Sequence, residues 1–87
     1  MKLKYIFVVQ EVSDGFVAVA VGADAAKFSG IIRMNKTSAF VFKQLMKDVT
    51  EDEIVAGMCE KYDGDEQIMR KDAQAFIKKL AAADLLA

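Results

Sequence analysis

Apolar residues along this chain follow two different rhythms. From Tyr5 to Val21 they come in short β-branched and aromatic runs, Tyr5-Ile6-Phe7-Val8-Val9 and Phe16-Val17-Ala18-Val19-Ala20-Val21, which is the composition of strands. Val12-Ser13-Asp14-Gly15 separates the runs. Its Asp-Gly pair suits the positive backbone angles of a tight hairpin turn, so the two runs are expected to pair antiparallel. Gly22 to Ser29 is small and polar apart from Phe28 and reads as a looser connection. A third, four-residue strand follows at Ile31-Ile32-Arg33-Met34.

After Asn35 the spacing becomes helical. Asn35 can cap a first helix by offering its side-chain oxygen to free amides two or three residues on, and Phe42, Leu45, Met46 and Val49 recur at helical intervals behind it. Thr50-Glu51-Asp52-Glu53 fits a capping box with acids in the first turn. It opens a second helix with Ile54, Val55, Met58 and Tyr62 on one stripe. Asp63-Gly64-Asp65 ends that helix and starts a third, from about Glu66 to Ala83, with Met69, Ala73, Phe76 and Leu80 on one face. Ile68 and Ile77 flank that stripe, and Lys71 and Lys78 point to water. The order strand, strand, strand, helix, helix, helix predicts an α+β fold: a winged helix-turn-helix-like arrangement, a three-stranded antiparallel sheet followed by three α-helices. So small a sheet leaves edges, and the short third strand is the one expected to expose unpaired backbone groups that can accept another strand.

Composition narrows this picture. With 87 residues, 54% of them hydrophobic, the chain buries roughly 60–65% of its extended surface and is expected to form a single domain over residues 1–87. Met1-Lys2-Leu3-Lys4 carries a signal peptide's positive charge, but the apolar run behind it ends at Gln10-Glu11 without a small-residue cleavage site. No run approaches the roughly 18 apolar residues of a membrane span. A cytoplasmic protein without membrane contact is the expectation. Cys59 is the only cysteine; beside the stripe of the second helix it is expected to be a buried structural thiol.

The missing chemistry is informative. There is no histidine, which removes Ser–His and Cys–His nucleophile pairs and histidine metal sites. No glycine-rich phosphate loop occurs. Asp63-Gly64-Asp65-Glu66 lacks the ligand spacing of a calcium loop and reads as a helix-to-helix turn. No enzyme activity, metal or cofactor is expected. Three helices and a small sheet also describe winged-helix DNA-binding proteins, whose last helix enters the major groove. Here Asp48, Glu51, Asp52, Glu53, Glu60, Asp63, Asp65 and Glu66 face only one base, Lys61, between residues 48 and 66. That leaves roughly seven uncompensated negative charges where phosphates would dock. Arg70, Lys71, Lys78 and Lys79 offset them in part. DNA binding is the alternative reading, and nucleic acid is not the expected partner.

Phe28-Ser29-Gly30-Ile31-Ile32-Arg33-Met34-Asn35-Lys36-Thr37-Ser38-Ala39-Phe40-Val41-Phe42, Thr50-Glu51-Asp52-Glu53-Ile54-Val55 with Tyr62-Asp63, and Asp72-Ala73-Gln74-Ala75-Phe76-Ile77-Lys78-Lys79-Leu80 closing with Asp84-Leu85-Leu86 together resemble the PqqD-like family. That family is named for a small protein of pyrroloquinoline quinone biosynthesis and is also called the RiPP recognition element. The resemblance covers nearly the whole chain. Lys36 and Ser38 stand where the family usually has glutamate and glycine, and Met34 where leucine is usual; these departures bear on which peptide is bound.

The resemblance implies a non-catalytic scaffold that binds the leader of a ribosomally made precursor peptide as an added strand and presents it to a modifying enzyme, often a radical S-adenosylmethionine protein. Carried over to this chain, the pairing edge is Ile31, Ile32, Arg33 and Met34. The groove wall is the flank of the third helix at Arg70, Ala73 and Ile77, with Arg70 available to an acidic leader side chain. Proline at Ile32 is expected to abolish leader binding and spare the fold. An open edge also allows a homodimer, and a degenerate relative serving only complex assembly would bind the enzyme without the leader.

Overall fold

The computed structural model describes all residues from Met1 to Ala87. Three strands, β1 (Phe7–Val12), β2 (Gly15–Ala20) and β3 (Ile31–Met34), precede three helices, α1 (Lys36–Gln44), α2 (Glu51–Lys61) and α3 (Glu66–Ala82). A single turn of 3-10 helix, Gly22–Ala26, lies between β2 and β3. The sheet has the order β1-β2-β3 and both pairings are antiparallel.

The hairpin turn lies one residue earlier than the Asp-Gly pair. Val12 pairs directly with Gly15, so Ser13 and Asp14 form the loop and Gly15 is the first residue of β2. Gly15 still needs to be glycine: its φ is +151°, and an added Cβ would lie 2.8 Å from the carbonyl oxygen of Met34. This two-residue loop sets the register. It draws Gln10 and Glu11 into the ladder opposite Val17 and Phe16, so β1 extends to Val12 and not merely to Val9. Tyr5 and Ile6 fall outside the strand. The chain just before them is tied elsewhere: Leu3 bridges Leu86, and the Lys4 amide donates to the Leu85 carbonyl.

Phe7, Ala18 and Met34 turn their side chains inward from the three strands, where Ala39, Val41, Phe42, Leu45, Ile54, Val55, Met58, Met69, Ala73 and Leu80 meet them from the helical side. Aromatic contacts thread this core. Phe28 packs on Phe7 at 5.7 Å, Phe7 on Phe42 at 5.2 Å and Phe42 on Phe76 at 6.4 Å between ring centroids, which links the sheet through α1 to α3. The opposite sheet face carries no helix, and Val8, Val19 and Ile31 stand exposed on it.

The first two helices begin at their expected caps, and Asp65 caps the third. The Asn35 side chain accepts from the Ser38 amide at 2.8 Å and the Asp65 side chain from Gln67 at 2.7 Å. Thr50 and Glu53 exchange both bonds of the capping box. Two expectations are corrected. Although Met46 and Val49 keep helical spacing, α1 stops at Gln44, because the amide of Leu3 takes the Leu45 carbonyl and Val49 donates to Met1. Met46 is therefore exposed. Cys59 is exposed too, not a buried structural thiol: Val55 and Met58 fill the core-facing stripe of α2 and leave its neighbour on the solvent side.

Candidate functional site: an open strand edge beside a helix

The edge strand β3 starts directly after Gly30 and ends at Met34, and the capping bond of Asn35 then turns the chain into α1. Its alternation is clear: Met34 is buried and Ile32 half-buried toward the core, whereas Ile31 and Arg33 are exposed on the outer face. The backbone alternates as well. The Met34 carbonyl points toward β2, since it approaches Gly15. Backbone groups of successive strand residues point to opposite sides, so Ile32 also directs its amide and carbonyl to β2, and Ile31 and Arg33 offer theirs to the open edge. Proline at Ile32 would therefore break the β2–β3 ladder, and the free amides belong to Ile31 and Arg33.

Two shallow hollows adjoin this strand. One, of about 320 Å³, lies between the hairpin and the end of β3, bordered by Val12, Phe16, Arg33, Met34 and Asn35. The other, of about 300 Å³, lies between the start of α1 and α3, bordered by Asn35, Ser38, Asp72, Ala75, Phe76 and Lys79. Asn35 borders both, so the side of α3 that faces the end of β3 is the Asp72–Phe76–Lys79 flank.

The expected groove residues of α3 lie apart from this flank. Arg70 lies on the other flank, where its guanidinium donates to Glu51 at 2.8 Å and Asp52 at 2.9 Å. Those bonds, first to Glu51 and then to Asp52, push its pKa above the ordinary arginine value. Gln74 joins the same cluster through Glu51 at 3.1 Å. Arg70 thus ties α3 to the first turn of α2. Ala73 is completely buried beneath the helix, and Ile77 is half-buried on the Arg70 side of the stripe by its helical spacing. Helical periodicity marks Phe76 as a stripe residue, but it cannot say which flank of an element turns toward a distant strand.

No cluster of three or more His, Cys, Asp and Glu side chains is placed to hold a metal ion, and no helix is long and apolar enough to cross a membrane. Asp52, Glu53, Glu60, Asp63, Asp65 and Glu66 are all exposed along α2 and the start of α3, so the surface on which a winged helix would meet DNA is acidic.

An antiparallel three-stranded sheet with one face covered by three helices, and a short edge strand running into the first of them, defines a small α+β domain. The chain belongs to the PqqD family, described as "Coenzyme PQQ synthesis protein D (PqqD)", whose profile matches residues 10–86. Two solved structures share the fold. "TbiB1 in Complex with the TbiA(beta) Leader Peptide" superposes with a TM-score of 0.72 at 21% identity, over 99% of this chain and 94% of that one. "Lasso peptide synthetase B1 complexed with the leader peptide" superposes with a TM-score of 0.68 at 15% identity, over 97% and 93%. A comparison with curated proteins gave no match.

Proposed function

We propose that this protein is a non-catalytic recognition domain that takes the leader of a ribosomally made precursor peptide as a fourth strand on β3 and holds the precursor for a modifying enzyme. The observation that carries this reading is the open β3 edge, with the backbone groups of Ile31 and Arg33 unclaimed by the sheet, in a fold shared with two proteins solved with leader peptides. An added strand gains main-chain hydrogen bonds from the edge and side-chain selection from pockets on alternate residues. Ile31–Met34 form the pairing edge, and the inward side of the added strand meets half-buried Ile32 and, from α3, the flank of Phe76. Holding the leader raises the effective concentration of the precursor's remaining segment at the enzyme, to the millimolar order for a short flexible tether. A radical S-adenosylmethionine enzyme is the partner class the family resemblance favours, in the cytoplasm, with residues 1–87 acting as one domain. A homodimer through two β3 edges would compete with the peptide.

The test uses peptides selected from a displayed random library and measured by fluorescence anisotropy. Arg33→Pro removes an outward amide at an edge position where proline is tolerated and is expected to weaken binding at least about tenfold, the loss expected when one charge-free pairing bond and the strand geometry go together. Arg33→Thr keeps the amide and should retain most of the affinity. Equal binding to the proline variant would remove β3 as the docking edge.

A further inference from the structure

The outer face of the sheet has an order of its own. Val8 pairs with Val19 and Val19 with Ile31, so these three side chains form one row across the strands, each exposed and apolar. The next row is Gln10, Val17 and Arg33. Arg33 is exposed and is the sole charged residue of that row. None of the protein's ion pairs includes it, although Asp14 borders the same hollow. Both rows run out at the open edge, and both end on a residue whose backbone faces outward.

We infer that Ile31 and Arg33 select the leader by its outward side chains: a carboxylate opposite Arg33, and a β-branched or aromatic residue opposite Ile31. This rests on the proposed strand addition to β3. Residues directly opposite each other on an antiparallel ladder share a face, with Cβ atoms about 4.5–5.5 Å apart. An added antiparallel strand therefore places one side chain beside Arg33 and, two residues later, one at the end of the Val8–Val19–Ile31 row. The intervening residue turns inward over Ile32. In an antiparallel strand the recognised order is acid, apolar, apolar from N- to C-terminus. The acid completes the sheet's unpaired cation, and the apolar residue shields Ile31, which is 63% exposed in the free protein. Like charges directly opposite are destabilising, so a lysine at the first position is rejected.

The experiment screens one displayed library of random twelve-residue peptides against the wild-type protein, Arg33→Glu and Arg33→Pro, each checked for folding by circular dichroism. The wild type is expected to enrich an acid two residues before a β-branched or aromatic residue, and Arg33→Glu to enrich lysine or arginine at the acid's place. In a selected peptide, exchanging the acid for lysine should weaken wild-type binding by up to about fivefold, the scale of one cross-strand charge pair, and should strengthen binding to Arg33→Glu. Peptides that bind the wild type, fail on Arg33→Pro and show no acid preference, or keep it unchanged on Arg33→Glu, would overturn the selection rule and leave strand addition standing. No enriched peptide, or equal enrichment on Arg33→Pro, would overturn strand addition and the rule with it.

Discussion

Gly15 and Asn35 are small residues with large consequences for the edge. Gly15 holds φ at +151° with the Met34 carbonyl against the space of its missing side chain, so Gly15→Ala forces β2 and β3 apart at the point where β3 ends. We expect a loss of more than about 1 kcal/mol, because the native backbone is incompatible with a side chain, read as a lowered denaturant midpoint. Asn35→Ala removes the cap of α1 and should cost about 0.5–2 kcal/mol in the same measurement, whereas Asn35→Asp should largely retain stability. Cys59 is a residue for which sequence context misled: a position beside an apolar stripe is not necessarily on it. Being exposed, it should titrate completely with a thiol reagent in plain buffer; reaction only in guanidinium would contradict its placement.

At the level of elements, starts were far more legible than ends. Asn35 and Thr50 each sit before their helix with the expected capping bond made, and Asp65 caps the third helix in the same way, because a cap is a contact between residues two or three apart. The end of α1 depends instead on Leu3 and Met1, more than forty residues away. The shift of β1 from Tyr5–Val9 to Phe7–Val12 has a similar origin: turn length decides which residues face each other, and polar Gln10 and Glu11 follow into the ladder. Phe42 links the elements, contacting Phe7 from the sheet and Phe76 from α3 while fully buried. Phe42→Ala should therefore cost about 3–5 kcal/mol, enough to unfold much of the population at 37 °C. The Arg70 cluster joins α2 to α3 near the surface, and Arg70→Ala should lower stability only slightly, with the difference from wild type shrinking as salt is raised.

For the molecule as a whole, the decisive features are an open edge and an uneven charge. The acids of α2 and the start of α3 remain exposed, and a gel-shift assay should show no retardation of duplex DNA even at low salt, where phosphate contacts are strongest. A peptide that binds the folded domain must also stabilise it, by about 2.7 kcal/mol at a hundredfold excess over its Kd. The unfolding midpoint should accordingly rise with a selected peptide and stay unchanged for Arg33→Pro.

The kinds of element and their order, the hairpin and the four-residue strand were legible from residue pattern, since each rests on contacts between neighbours along the chain. Only packing between distant segments ties Arg70 to Glu51 and Asp52, and only the sheet register sets which amides of β3 face outward. Periodicity fixes the angles between side chains within one element. It says nothing about how that element is rotated against another, and that rotation is settled by the packing of the core and the register of the sheet.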